Sequence, residues 1–405
     1  MLLEWRRPAA RFRGDWKHRQ IRRYRAWAFR AAWQNCKIIT KRPYRQFSMP
    51  TPDTQRLLVV CTRRIGDVLL VTPLIRSLRR AWPQAQIDAL VFRGTAGVLE
   101  GNPDLDELIV VPERSTKMVR WRELRQLWNR YDLSFSCVPS DRARLYAWAA
   151  SRRHLGMLAA DEITVKLRLM DSAVRFDDIN THTVSMGLQL ADLVNVARCP
   201  EVVPPTAGGS LPSEIRQAFA VLHPFPKFNY KMWTEAGWVA LAQALQGRGF
   251  QVVLTGSSDA EEVGYCQRLA AASGALCLAG QLSLAQTADL LRQAELFVGP
   301  DTAVTHLAAA CGIPTVALFG PSNPVKWGPW PSGRDVIDSP WRMVGSARHG
   351  NVMLLQGSGE CVPCRLEGCD RHLASWSRCL QEMPSARVID AALGMLKPTS
   401  AELAR

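Results

Sequence analysis

The chain has 405 residues, 47% of them apolar and 21% charged, with a net charge of +15. That is material for two globular domains. No apolar run reaches the roughly 18–20 residues that span a bilayer, and the Arg-studded N-terminus is unlike a secretory signal, so a cytoplasmic protein is expected.

The charge is unevenly placed. Residues 1–50 carry 14 Lys and Arg against Glu4 and Asp15, which leaves +3 for all the rest. The folded body is therefore not expected to bind nucleic acid. The arm also holds Trp5, Trp16, Trp27 and Trp33. The spacing of Ile21, Tyr24, Ala28 and Ala31 predicts a helix within 15–39. Such an arm suits an anionic lipid surface, at about 1 kcal/mol per basic residue near it. A solvated extension fits the same composition. Residues 49–52, Met-Pro-Thr-Pro, read as a linker.

Alternating strands and helices follow. Arg56–Thr62 is a short apolar run, as in a buried parallel strand. Helical spacing covers Gly66–Arg80, and strands are predicted at Gln86–Phe92, Leu105–Val111 and Asp132–Val138, with a helix over Thr116–Arg130 between the last two. A Pro- and Gly-rich stretch, Cys199–Pro212, marks a boundary. After it come strands at Ala220–His223, Phe250–Thr255, Ala275–Leu278, Leu296–Gly299 and Thr315–Phe319. Helices are predicted at Thr234–Gly247, Asp259–Ala272, Ser283–Ala294, Thr302–Cys311 and Ala386–Leu396. The expected class is α/β, with two doubly wound, Rossmann-like domains at 51–205 and 206–385, then a last helix and tail at 386–405. Ligands of such sheets bind at the carboxyl ends of the strands.

Three strand-to-helix turns carry candidate chemistry. In Thr62–Val68, Gly66 permits close backbone approach and Asp67 sits near a helix start; a carboxylate interacting with the helix dipole is the plainer account. In His223–Trp233, Lys227 and Lys231 can hold a diphosphate as point charges, or can be solvated loop cations. In Phe297–His306, free N–H groups beyond Gly299 form an anion site, with Thr302 and His306 on one helical face. Asp301 read alone is an N-cap and His306 a core histidine. None of the turns has the G-x-G-x-x-G pattern of nicotinamide binding.

Taken together, the segments beginning RLLVVCTRRIGD at Arg56, HPFPKFNYKMW at His223 and FVGPDTAVTH at Phe297 resemble glycosyltransferase family 9, the ADP-heptose:lipopolysaccharide heptosyltransferases. They stand in the family's order and spacing, and the resemblance runs over about 56–397. It implies the GT-B architecture, two such domains facing across a cleft. It implies inverting, metal-independent transfer of a heptose from ADP-heptose to a lipopolysaccharide core, and an arm bound to the inner face of the inner membrane would place the enzyme beside that acceptor. By the same resemblance Asp67 is the general base and Lys231 the phosphate-binding lysine. Asp301, Thr302, Ala303 and His306 hold the nucleotide diphosphate, with Gly256 beside the donor and Glu261 near the position of a ribose-binding acid. The family usually has Asp-Thr-Gly where this chain has Asp301-Thr302-Ala303. A protein acceptor or a different nucleotide sugar is the alternative within the class; a non-catalytic nucleotide-sugar binder is the alternative outside it.

Two further patterns are weighed. Asp104-Leu105-Asp106 has the form of a metal-binding D-x-D but reads as structural. Cys361, Cys364, Cys369 and Cys379 have spacing that suits a structural Zn or Fe site away from the chemistry, and reduced structural thiols, or thiols that oxidise to disulfides on isolation, fit better. No cofactor is required by the implied reaction.

Overall fold

The computed structural model describes residues 39–40, 55–159, 162 and 170–396. The predicted arm helix falls outside the described residues apart from Ile39, and the linker at 49–52 falls outside them entirely.

Two seven-stranded sheets organise the chain. The first contains β1 (Ile39–Thr40), β2 (Arg56–Cys61), β3 (Gln86–Phe92), β4 (Glu107–Val111), β5 (Tyr131–Ser136), β6 (Ser151–Leu158) and β7 (Ser172–Arg175), in the order β1-β7-β6-β5-β2-β3-β4. All pairings are parallel except β1 on β7. The second contains β8 (Phe219–Leu222), β9 (Gln251–Leu254), β10 (Leu276–Cys277), β11 (Leu296–Pro300), β12 (Thr315–Phe319), β13 (Ala347–His349) and β14 (Val352–Gln356), in the order β10-β9-β8-β11-β12-β14-β13. Only β13 on β14 is antiparallel. Strand order reverses at β2 in one sheet and at β8 in the other. Those switch points put Thr62–Asp67, His223–Lys231 and Asp301–His306 at strand carboxyl ends, where crevices form.

The predicted strands are present with ends shifted by a residue or two, and β3 and β12 match as predicted. The single helix expected over Gly66–Arg80 is two helices, Ile65–Leu69 and Thr72–Ala81. Pro73, in the first turn of the second, has no N–H to return to the preceding turn, so the helix restarts there. Strands β6 and β7, and the helices Asp141–Ala150 and Thr183–Asp192, carry no apolar periodicity that singled them out. β6 begins Ser-Arg-Arg-His, yet it is a central strand. Its polar groups are consumed locally: Ser151 Oγ lies 2.6 Å from Ser134 Oγ, and His154 Nε2 lies 3.0 Å from Ser136 Oγ.

The two units share one apolar cluster, which joins Val68 and Leu69 to Leu290, Leu291, Val304 and Leu307. Polar pins reinforce it. His182 Nε2 donates to Gly328 O at 2.7 Å, while its Nδ1 accepts from Val184 N. Asn323 Nδ2 donates to Ile179 O at 2.8 Å, and Lys326 Nζ donates to Asp177 O at 2.8 Å. The last helix, Ser385–Met395, buries Val388, Ala392 and Met395 in the core of the second unit. Among the described residues no helix is long and apolar enough to cross a membrane.

Gly328 is the tightest of these joints. A Cβ there would lie 2.1 Å from Cδ1 of Trp341, a buried indole whose Nε1 donates to Pro329 O. Neither ring nor backbone can yield cheaply. Gly328→Ala is expected to lower stability by about 1–3 kcal/mol, as overpacked cores do. Urea denaturation checks this, and an unchanged midpoint contradicts it.

Candidate active site

The first half of the site comes from the turn after β2. The five-residue helix Ile65–Leu69 turns Asp67 inward, leaving it 8% exposed. Arg63 Nε stands 3.7 Å from its carboxylate. Burial pushes the Asp67 pKa above its ordinary value of 3.8; Arg63, Arg64, a backbone N–H bond at Arg64 and Lys326 only partly reverse this. Beside it is a hollow of about 20 Å³, lined by Arg63, Asp67, Val71, Phe176 and Met186 among others. That is room for little more than one water molecule.

The second half comes from three loops of the second sheet. After β8, a 3₁₀ turn at Asn229–Lys231 presents Lys231, whose Nζ lies 2.6 Å from Asp301 Oδ2. Burial alone would raise the Asp301 pKa, but Lys231, His306 and a hydrogen bond from Ser322 outweigh it and hold the carboxyl below its ordinary value. Thr302 caps the helix Ala303–Ala310, its hydroxyl accepting from Thr305 N at 3.3 Å. Ala303 is the first helical residue and is half-buried. His306 is buried, its Nδ1 has no hydrogen-bond partner, and burial brings its pKa down to about 4. It is therefore neutral near pH 7.

The halves meet. A Cβ built on Gly66 would stand 3.8 Å from His306 Cδ2, and the Asp67 helix packs on the Ala303–Ala310 helix. Arg64 sits 5.2 Å over the Phe228 ring, which stacks on Tyr230 at 5.3 Å. Gly66, the neighbour of Asp67, thus abuts His306, while the hollow beside the Asp67 carboxyl is lined by residues of the first unit. At 3.8 Å a methyl on Gly66 would only touch His306, so packing alone does not demand glycine there. Lys227 is exposed and rests against the Phe228 ring.

Other candidates fall differently. Glu261 is exposed, whereas Glu262 is buried and turned to the loop after β9. A Cβ on Gly256 would meet Glu262 Oε1 at 3.1 Å, and Glu262 accepts a bond from Ser257 Oγ. One residue of helical phase separates the two acids, which an unaligned sequence does not fix. The D-x-D pair is structural: Asp104 accepts from Arg76 Nε at 2.8 Å, and Asp106 accepts from Ile87 N at 2.7 Å.

Lys326 was missed by the sequence reading. It is fully buried, 3.7 Å over the Phe176 ring, and burial brings its pKa down to about 8. A lysine in the short helix Pro324–Trp327, within a Pro-rich stretch, gives no sequence sign of that environment.

No disulfide joins the four clustered cysteines in this structure. Burial first, then the neighbouring thiols, pushes Cys379 up to about 12. Among the described residues no group of His, Cys, Asp or Glu is disposed to hold a metal ion. The segment is not remote from the site, as expected, but backs it. Arg365 N donates to Pro321 O, Gln381 Nε2 donates to Met232 O, and a Cβ on Gly320 would lie 3.1 Å from Cys379 Sγ.

The chain is similar to known proteins that share this layout. A model of glycosyltransferase family 9 (heptosyltransferase) matches residues 140–342, about half of the chain. Lipopolysaccharide heptosyltransferase 3 of Escherichia coli is 26% identical over 303 residues, which cover 65% of this chain and 83% of that protein. Among solved structures, a family 9 glycosyltransferase from Veillonella parvula superposes with a TM-score of 0.68 at 18% identity, over 86% of this chain and 98% of that one. The E. coli ADP-heptose lipopolysaccharide heptosyltransferase II does so with 0.63 at 21% identity, over 84% and 98%.

Asp67 gives a sign that can be tested on stability. Its native pKa exceeds its unfolded one, so the native state is favoured while the group is protonated and loses that advantage as pH rises through the native pKa. Asp67→Asn cannot ionise. It is expected to be more stable than the parent at about pH 8, with the difference shrinking toward about pH 4. Equal stabilities across that range would contradict the buried, raised carboxyl.

Proposed function

This chain belongs to glycosyltransferase family 9, the heptosyltransferases, and on that basis we propose that it moves a heptose from ADP-heptose to a lipopolysaccharide core, inverting the anomeric carbon. One observation carries the reading: the short helix that bears a buried carboxylate of raised pKa packs on the helix Ala303–Ala310, whose N-terminal turn holds an unsatisfied histidine beside the Lys231–Asp301 pair.

In this mechanism Asp67 takes the proton of the acceptor hydroxyl as its oxygen bonds to the anomeric carbon. The bond to the diphosphate oxygen breaks on the opposite face, and ADP departs as an anion. Lys231, the free N–H groups beside Thr302 and Ala303, and His306 stabilise that charge. Lys231 and the helix N–H groups supply the positive potential and the neutral His306 a hydrogen bond, so the proposed step invokes no cofactor. Glu262, rather than Glu261, is the acid that stands beside Gly256 to meet the donor ribose. Adenine and heptose are supported by the relatives' names, among them an ADP-heptose enzyme. The lipid-linked acceptor is supported by the lipopolysaccharide heptosyltransferases.

Calorimetry with ADP-, UDP- and GDP-sugars tests the donor; preference for a UDP- or GDP-sugar would overturn it. Turnover of a lipopolysaccharide-core acceptor, set against a protein acceptor, tests the other substrate. Asp67→Ala is expected to lower kcat about 10²–10⁴-fold with donor affinity nearly kept. Lys231→Ala is expected to weaken ADP binding about ten- to a hundredfold, the 1.5–3 kcal/mol of a charged hydrogen bond. Unchanged turnover in the first, or an unchanged Kd in the second, removes that residue from its role.

A further inference from the structure

The helix Lys117–Leu127, which joins β4 to β5, buries only Leu127. A surface helix ordinarily sinks an apolar stripe into the core. This one displays its large side chains instead: Met118 is 65% exposed, Trp121 59% and the capping Trp128 56%. Trp148, from the neighbouring helix Asp141–Ala150, stands edge-on to Trp128 at 5.5 Å. The tryptophans frame a groove of about 410 Å³ floored by Leu124 and Ala149. Three of the four exposed tryptophans among the described residues lie here, so the patch is not a scatter of single apolar residues.

Charge is concentrated at the same place. Residues 117–130 hold Lys117, Arg120, Arg122, Arg125 and Arg130 against Glu123 alone. Without this segment, the chain beyond residue 50 carries slightly more acid than base. Arg125 lies 5.5 Å over the Trp121 ring, so cations and indoles are interleaved on one surface.

We propose that this face, built from Lys117–Trp128 and Trp148, docks on an anionic lipid bilayer. Interleaving is what selects that occupant. A protein interface tends to gather apolar residues in a charge-poor core with a polar rim. A second copy of the chain, docked through the same patch, would bring the five cations against their own kind. The chain's N-terminal arm is basic too and is repelled likewise. A bilayer presents anionic head groups to the cations and an acyl boundary to the indoles, the depth at which tryptophan prefers to sit. The inference stands on this surface and not on the acceptor assigned above.

The full-length protein is sedimented with phosphatidylethanolamine vesicles with and without phosphatidylglycerol. The variants are M118S/W121S and R122E/R125E, all at exposed positions away from the site, with parental thermal unfolding as the control for folding. The parent is expected to bind the anionic vesicles, less at high salt. R122E/R125E is expected to partition at least about thirtyfold more weakly, since about 1 kcal/mol accompanies each of the two basic residues lost, and M118S/W121S roughly tenfold more weakly, since two apolar side chains no longer enter the acyl boundary. Absence of parental binding, or equal binding by both variants, would overturn the docking face. Self-association lost in the variants without vesicle binding would assign the face to a second copy and overturn it as well. Transfer to a soluble core acceptor is expected to be unchanged in both variants, so failure of the acceptor reading would show in the parent's turnover and not in sedimentation.

Discussion

The site depends on one contact, the packing of the Ile65–Leu69 helix against the N-terminal turn of Ala303–Ala310. Asp67 belongs to one sheet and Lys231, Asp301 and His306 to the other, so no local structure holds them together. The cluster around Val68, Leu69, Val304 and Leu307 does, and it brings Gly66 within van der Waals reach of His306. The geometry that serves chemistry is thus set by apolar packing between domains, with the polar pins at His182, Asn323 and Lys326 fixing its direction. A small shift there moves a base relative to its substrate, and proximity effects are steep.

Within the second unit, Lys231 has a partner before any donor arrives. Its 2.6 Å contact with Asp301 keeps a buried carboxylate charged and the ammonium in place at the mouth of the helix. A preset charge spends little on reorganisation when a diphosphate leaves. The loops that carry the pair are held from behind. Trp233 Nε1 donates to Met383 O, Gln381 Nε2 donates to Met232 O, and Arg365 N reaches Pro321 O, next to the Ser322 that bonds Asp301. The cysteine-rich segment is therefore a buttress for the donor loops, which its thiol spacing alone did not reveal.

The doubly wound architecture was legible because parallel strands buried on both faces must be continuous apolar runs, as RLLVVC and TVALF are. It was illegible where polar strands are satisfied by neighbours, as in β6, whose serine and histidine bond across to β5. Asp67, Lys231 and His306 were visible as strand-end residues, but that they share one cleft came only from the family resemblance, since periodicity carries no distance between domains. The family match begins at residue 140, so Asp67 stands on its geometry rather than on that match. Glu261 and Glu262 differ only in helical phase, and Lys326 only in burial. Both facts belong to tertiary structure.

The electrostatics of Asp67 unite these elements. Two arginines and a buried lysine surround the carboxyl, and in water they would hold it ionised and weakly basic. Burial outweighs them and the pKa is raised. A carboxylate is a better base the nearer its pKa lies to the working pH, provided it remains ionised there. The cations limit how far burial can go. The hollow beside Asp67, about 20 Å³, is too small for a sugar ring. Near Asp67 the units also touch at Arg64 on Phe228 and Gly66 on His306, and both contacts are weak ones. The strong ones, around His182 and Lys326, are hydrogen bonds to backbone carbonyls that fasten residues 177–182 to 323–328.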